Sequence, residues 1–378
     1  MKNTYDSIII GGGVNGCSIA YQLAKRGHSV LIVEKDRLAE QSSGAAAGML
    51  AAQAELDQDG PLFQLARKSR SMFHNLSEQL KNLSGVDIEL INEGMLKVAL
   101  TEEEECHYKK IIEFQQSIGE KVEWLSPTEV CKKETNISTE IRGAMYIPND
   151  GQVSAKQLTL GFAKSAVSLG VDILEYTEVE DILQEGGKVT GIATPISNYY
   201  AENVIVTAGA WSKRILARTN LSIQAYPVKG ECFSVLHHKP LLKSTLFSEG
   251  CYLVPKKGGR IIIGATSNPH TFDKKVTVGG INQLMSRAIS LLPAIAKTEF
   301  ETSWAGIRPQ TKDGLPFLGK HPSLNGVFIA TGHYRNGILL APITGELIAD
   351  LVEDKPINPL FENAFKLDRE MILIGEGV

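Results

Sequence analysis

The stretch Ser7 to Gly16, Ser-Ile-Ile-Ile-Gly-Gly-Gly-Val-Asn-Gly, constrains this chain most, because branched apolar residues run directly into a glycine cluster. Ile8, Ile9 and Ile10 read as a short buried strand, and Val14 to Arg26 as a helix whose apolar positions Ile19, Leu23 and Ala24 recur at helical spacing. The turn between them has the pattern G-x-G-x-x-G. Gly11 allows a tight turn, Gly13 lets backbone approach a pyrophosphate, and Gly16 lets helix and strand pack closely. The start of such a helix favours an anion. A second strand, Ser29 to Val33, ends in Glu34, about 20 residues downstream, where an acidic residue takes ribose hydroxyls. The glycine spacing alone also fits an ordinary strand-to-helix turn; strand, helix and acidic residue together predict a dinucleotide site.

At 378 residues the chain exceeds the size at which single cores usually divide, so two domains are expected. A formal net charge of -4 without a long basic block argues against nucleic acid or anionic lipid as a partner. Lys2 followed by apolar residues superficially resembles a signal peptide, but Asp6 and the glycines interrupt it. Asn15, Ser18 and Gln22 make Ser7 to Ala24 a poor membrane span. A soluble, cytoplasmic protein is predicted. Cys17, Cys106, Cys131, Cys232 and Cys251 are scattered and form no C-x-x-C, so they read as reduced core residues. With no H-E-x-x-H, and no acidic or cysteine ligands beside His237-His238, no metal is predicted.

Further along, Ser42 to Gly48 is a run of small residues before Met49, suited either to close approach of a ligand or to an alanine-rich helix start capped by Ser42 or Ser43. Leu56 to Pro61 is polar and turn-forming, a candidate lid, and Phe63 to Leu83 reads as a long amphipathic helix. Ile88 to Ile91 and Gly94 to Leu100 suggest a hairpin. Glu102 to Glu105 open a solvated helix, and Ser126 to Glu129 and Ser154 to Gln157 both read as capping boxes. Strands are expected at Asp172 to Glu175, Val179 to Leu183 and Val189 to Thr194, the last two joined at Gly186-Gly187. Asn203 to Ser212 is again a buried strand running into small residues, including Ala208 and Gly209, and then a helix. Strands at Cys232 to Leu236, Gly250 to Val254 and Arg260 to Ala265 precede a helix at Ile281 to Leu292. Ser303 to Gly319 reads as loop-rich, and Gly326 to Thr331 as a last buried strand. Gly332 to Gly337 then turns into a helix from Ile338 to Val352. The implied architecture is α/β (α+β overall), a discontinuous Rossmann-like domain into which a mostly antiparallel sheet domain is inserted twice.

Five ordered motifs together resemble the D-amino-acid oxidase family, and within it the bacterial glycine oxidases of the thiamine pathway. They are Gly11 to Gly16 with Glu34, Ser42 to Met49, Pro227 to Cys232, Trp304 to Pro309, and Gly332 to Pro342. The resemblance covers nearly the whole chain and implies FAD, held non-covalently, rather than NAD. It implies an FAD-binding domain of residues 1–85, 150–220 and 305–378, and a substrate-binding domain of 86–149 and 221–304. By the same resemblance, Val14 and Asn15 meet the pyrophosphate, and Glu34 and Lys35 the adenosine ribose. Ser42, Ser43, Ala47, Gly48 and Met49 hold the remainder, and Val179 contacts adenine. His333, Tyr334, Arg335, Asn336, Gly337, Ile338 and Leu339 lie against the flavin ring.

The family's chemistry is implied in the same way: hydride transfer from a small amino acid to flavin N5, then reoxidation by O2, giving a 2-oxo acid, ammonia and H2O2. Arg308 binds the substrate carboxylate, Tyr252 donates a hydroxyl to it, and Arg335 lies beside flavin and substrate. Orientation and electrostatics carry such a reaction, so no general base is nominated. The structural alternatives are an Arg308 paired with Asp313, a Tyr252 that fills the core, and an Arg335 on the surface. Gly250 and Ser267 stand where the family carries histidine and methionine, which suggests a roomier site for sarcosine and small D-amino acids. A homotetramer, and a role supplying glycine imine for the thiazole of thiamine, are also implied. Two other functions stay open at this stage, a flavin dehydrogenase with a non-oxygen acceptor and a non-catalytic carboxylate-binding flavoprotein.

Overall fold

The computed structural model describes residues 2–369. Its first strand, Thr4–Ile10, is central in an eight-stranded sheet, with Asn198–Val206 on one side and Val30–Val33 on the other, both parallel. Val327–Thr331 and Asp172–Leu174 extend the parallel array outward in each direction. Antiparallel Phe317–Lys320 closes one edge. Because Ile10 is in register with both Val33 and Val206, and Val206 with Ile329, the carboxyl ends of four strands meet at one rim. The chain leaves the central strand toward one side and returns on the other, so the rim is a topological switch point where ligands bind in α/β sheets.

Four helices cover one face of this sheet: Val14–Lys25, Pro61–Ser84, Ala155–Ser168 and Gly337–Val352. Ile19, Leu23, Leu65, Phe162, Leu340 and Ile348 are fully buried between them. Each such side chain contributes roughly 1.5–3 kcal/mol relative to exposure. Pro342 sits inside the last helix, where it cannot donate a backbone hydrogen bond. Buried serines on neighbouring helices serve that region: Ser18 Oγ donates to Ala341 O at 2.7 Å and Ser69 Oγ to Leu339 O at 2.6 Å.

The second sheet has nine strands and is mostly antiparallel, with Thr245–Ser248 against Met95–Ala99 as a parallel pairing. Its long members are Ala225–Leu236 and Glu299–Thr311, paired along nearly their whole length. The structure therefore corrects the loop-rich reading of Ser303 to Gly319: Arg308 lies on a 13-residue strand. Gly306 and Pro309 hid that strand from the sequence, yet alternate residues Ala305, Ile307, Pro309 and Thr311 are buried in strand periodicity.

Other local expectations shift as well. Ile88 to Ile91 forms no hairpin with Met95–Ala99; Ile91 instead bridges to Gln152 across the chain. Ser126 makes its capping box, whereas Ser154 makes no side-chain cap, because its Oγ does not meet the helix N–H groups. The strand expected from Val179 begins at Asp181. All five cysteines are free, but only Cys17, Cys232 and Cys251 are in the core; Cys131 is half-buried, and Cys106 is exposed on the solvated helix Glu102–Ser117. Among the described residues, no helix is long and apolar enough to cross a membrane, and no cluster of three or more His, Cys, Asp or Glu side chains could hold a metal ion.

Candidate active site

A long cleft opens at the strand-end rim and runs to the second sheet. At its first end the glycine turn has steric reasons for its composition. Gly11 has φ +114°, and a Cβ there would lie 2.8 Å from Thr207 O. A Cβ at Gly16 would lie 2.1 Å from Gly11 O, so Gly16 packs helix against strand and does not itself line the cleft. Gly13, Val14 and Asn15 do line it. The Val14–Lys25 helix begins here without a cap from Gly13; Ser43 takes the Val14 N–H, and the N–H groups of Asn15 and Gly16 are left for a ligand.

Glu34 follows its strand into the cleft, buried, and braces the turn: its Oε2 accepts from Gly12 N at 2.6 Å and its Oε1 from Asp36 N at 2.9 Å. Ser43 Oγ accepts from Val14 N at 2.9 Å, and Ser42 Oγ donates to Ile307 O. The small-residue run thus begins as a short helix, Ser42–Ala45, with Gln41 at its N-cap position and no side-chain cap, because Ser42 and Ser43 turn to Ile307 and Val14. Trp304 Nε1 donates to Ala45 O at 3.0 Å from the second sheet, and a Cβ at Gly306 would lie 2.6 Å from Ala45 Cβ. Ala47, Gly48 and Met49 continue along the wall, as do Val179, Ala208 and Gly209. Lys35 Nζ lies 3.8 Å from the centre of the Trp211 ring at the outer mouth. Trp211 and Thr207 line the cleft too, and sequence reasoning did not single them out, although both lie within two residues of Ala208-Gly209.

Close to Asn15, the Gly337–Val352 helix also points its start into the cleft, with Gly337, whose Cβ position lies 3.8 Å from Asn15 Nδ2, and Ile338 on the wall and Asn336 and Leu339 behind it. His333, Tyr334 and Arg335 line the turn before it. Tyr334 takes φ +48°, and its N–H donates to Pro309 O at 2.9 Å, tying the turn to the strand that bears Arg308. His333 is buried against Thr344 Oγ1 at 3.0 Å, and burial pushes its pKa down to about 3.

Arg308 is half-buried, and its Nη1 donates to Thr266 O at 3.3 Å. Asp313, its alternative partner in the sequence, pairs instead with Arg369 at 2.7 Å. Among the described residues no carboxylate lies within 4.0 Å of the Arg308 guanidinium. Tyr252 is buried on Cys251–Pro255 and faces the same space, its hydroxyl 3.5 Å from Cys232 Sγ. Burial pushes the Tyr252 hydroxyl and the Cys232 thiol well up, and the nearby Arg308 charge opposes this. Arg335 is on the surface, as its structural alternative has it, yet it is not unpaired. Its Nε meets Glu55 Oε2 at 2.9 Å, and that carboxylate, which holds the Arg335 charge up, also lines the cleft. No local signal marks Glu55, whose partner is 280 positions away in the chain. Gly250 and Ser267 are absent from the lining. Gly250 turns away, with φ +72° and a Cβ position 1.9 Å from Arg287 Nη1, so bulk missing there leaves the cleft unchanged.

A strand-end cleft with a glycine turn at one end and a carboxylate-free arginine at the other defines a class, and the family model for FAD-dependent oxidoreductases (DAO) matches residues 6–351. The chain belongs to that family. It is 48% identical to the glycine oxidase of Geobacillus kaustophilus (strain HTA426) over 97% of this chain and 96% of the relative. It superposes on a crystal structure of glycine oxidase from Geobacillus kaustophilus with a TM-score of 0.95, at 47% identity, covering 97% of this chain and 99% of that one. It is also 35% identical to a bifunctional protein ThiO/ThiG from Synechocystis sp. (strain ATCC 27184 / PCC 6803 / Kazusa), over 98% of this chain and 54% of that protein.

The residues present fit FAD. Gly13, Val14 and Asn15 line the wall at the start of a helix, and the buried Asn15 Oδ1 there has no partner within the protein. A ligand carrying hydroxyl and phosphate groups would supply one.

Proposed function

We propose that this protein oxidises glycine and related small amines, releasing a 2-oxo acid, ammonia and H2O2. The observation that carries the reading is Arg308, a guanidinium without a carboxylate partner that faces the cleft beside Tyr252. An arginine fork binds a carboxylate through two charge-assisted hydrogen bonds. The Tyr252 hydroxyl, kept protonated by burial, is a donor to the same group. Arg335, held by Glu55, closes the side of the site and orients the amine through its backbone carbonyl. FAD, when bound without a covalent link, accepts two electrons from the substrate and passes them to O2.

Gly11 to Gly16, Glu34, Lys35, Ser42, Ser43, Ala47 to Met49, Val179, Ala208 and Gly209 hold the cofactor in this reading, and His333 to Leu339 approach its ring. The Gly337–Val352 helix turns its positive end toward the cleft, where it stabilises negative charge. Titratable groups near Arg308 are held uncharged by burial: Tyr252 and Cys232 are raised and His333 is lowered. This supports a reaction in which the substrate amine loses its proton to solvent and the protein supplies orientation. Residues 1–85, 150–220 and 305–378 form the cofactor domain and 86–149 and 221–304 the substrate domain, with the strand Glu299–Thr311 continuing through the division at 304/305.

The same resemblance supports a cytoplasmic homotetramer whose imine product supplies the thiazole of thiamine, and the ThiO/ThiG relative is consistent with that placement. The test is an absorbance spectrum of the purified protein, followed anaerobically as glycine is added and then in air. Bleaching of the flavin and H2O2 on aeration are expected. A flavin that stays oxidised with glycine, sarcosine and D-alanine would overturn the reading.

A further inference from the structure

The strand Ala225–Leu236 sends alternate side chains to opposite sides. Gly230 and Cys232 line the cleft, whereas Lys229 and Glu231 are buried on the other face and do not touch it. Two buried ionisable groups need partners, since an isolated buried charge is costly. They pair with each other, Lys229 Nζ to Glu231 Oε1 at 2.9 Å, with Asp273 a second, looser partner of Lys229 at 3.9 Å.

Glu231 also fastens the segment 266–277 at both ends. At the far end, Thr277 N and Thr277 Oγ1 both donate to its carboxylate at 3.1 Å. At the near end, Glu231 N donates to Thr266 Oγ1 at 2.9 Å, and Thr266 N donates to Glu231 O at 3.2 Å. The carbonyl of that same Thr266 accepts from Arg308 Nη1. The guanidinium is packed over Gly230, the residue between the pair, where a Cβ would lie 2.4 Å from Nη1. A buried ion pair adds little net stability over an apolar pair of similar size, so its consequence lies in the geometry it fixes.

We propose that Lys229 and Glu231 are positioning residues for Arg308. Lys229 holds the Glu231 carboxylate on Thr277 while the Glu231 backbone holds Thr266, and together these fix the Thr266 carbonyl, and with it the direction in which Arg308 presents its remaining N–H groups to a substrate carboxylate. The proposal rests on Arg308 as the carboxylate anchor. Neither side chain touches substrate or cofactor, so their effect is on substrate affinity and passes through Arg308.

The test uses the flavin-loaded enzyme. Lys229→Met and Glu231→Gln are made together, which leaves neither charge unpaired. Thr277→Val removes a hydroxyl that donates to Glu231 and also accepts from Gly280 N as the cap of the helix Val278–Leu291, and Thr277→Ser, which keeps both contacts, is its rescue. The readouts are kcat and KM for glycine, flavin content, and the Kd of acetate from the flavin spectrum. KM and the acetate Kd are expected to rise about tenfold with kcat within twofold and flavin content unchanged. In an Arg308→Ala background the paired substitution should add nothing, because its effect runs through that side chain. An unchanged KM in the paired variant overturns the proposal; if that variant does not fold, an unchanged KM in Thr277→Val does so. An equal loss in the Arg308→Ala background also overturns it. If Arg308→Ala itself leaves glycine and acetate affinity intact, the anchor reading fails and the proposal falls with it. If Arg308→Ala weakens both ligands while the paired variant does not, the proposal alone fails.

Discussion

Gly230→Ala isolates the geometry of the carboxylate anchor with a single methyl group. The added Cβ would lie 2.4 Å from both Nη atoms of Arg308, so the guanidinium must retreat about 1 Å to reach ordinary contact at 3.4 Å. What it meets is the far end of a flexible side chain, and the backbone at Gly230 is not in the left-handed region. The fold therefore changes little, by about 1 kcal/mol and a few degrees in Tm at most. The substrate, by contrast, is held by the displaced group. A misplacement of about 1 Å costs up to about 100-fold in rate, equivalent to about 2.7 kcal/mol of transition-state stabilisation. The assay is steady-state kcat/KM for glycine on protein of measured flavin content, with Gly279→Ala as a control at a position where no atom lies within 4 Å of the added Cβ. A yellow, folded Gly230→Ala enzyme with kcat/KM within twofold of the parent would refute the seat assigned to Arg308. Loss of flavin would refute the separation of the substrate and cofactor ends of the cleft.

Other outcomes are expected on the same physical grounds. Gly11→Val forces a branched side chain into φ +114° with its Cβ 2.8 Å from Thr207 O, so the purified protein should emerge from gel filtration without absorbance near 450 nm. Arg308→Ala should keep the flavin and raise KM for glycine about 100-fold, and Arg308→Lys should recover only part of that, because an ammonium cannot make the paired contact. His333 is buried neutral, its pKa depressed to about 3 from 6.5. Its contribution to stability is therefore present above pH 6.5 and is lost as pH falls from 6.5 toward 3, where the unfolded chain takes up a proton that the folded one refuses. Urea midpoints of the FAD-loaded enzyme at pH 7, 6, 5 and 4 should show this slope, about 1.4 kcal/mol per pH unit from this group. His333→Gln should flatten it, and an unchanged slope would remove His333 as its source.

The sequence by itself determined the elements whose signals are local. Ile8 to Ile10, the glycine turn and the helix after it declare themselves through a buried run, a steric requirement and a 3.6-residue period, all within twenty residues of one another. The same is true of the strand before Gly332 and the helix after Gly337, and of the capping box at Ser126. Motif likeness then connected these pieces to a family and pointed to Arg308, Tyr252 and Arg335. Local reading failed where pairing partners are remote. Glu299–Thr311 is a strand because twelve residues of Ala225–Leu236 lie beside it, and neither strand can satisfy its backbone alone. Ile91 finds Gln152 rather than its neighbours in the chain for the same reason.

Only the tertiary structure decided what each charge in the site faces. Asp313 is five residues from Arg308 yet pairs with Arg369, which leaves the guanidinium for a ligand, while Arg335, near a helix start, turns to Glu55. Gly250, two residues from Tyr252, faces Arg287 and not the cleft. Strand alternation places Lys229 and Glu231 behind the wall that Gly230 and Cys232 form. A sequence carries the residue types that can ionise or pack. Which of them meet is set by strand register and helix docking across more than a hundred residues, and from that arrangement come the depressed pKa of His333 and the raised one of Tyr252.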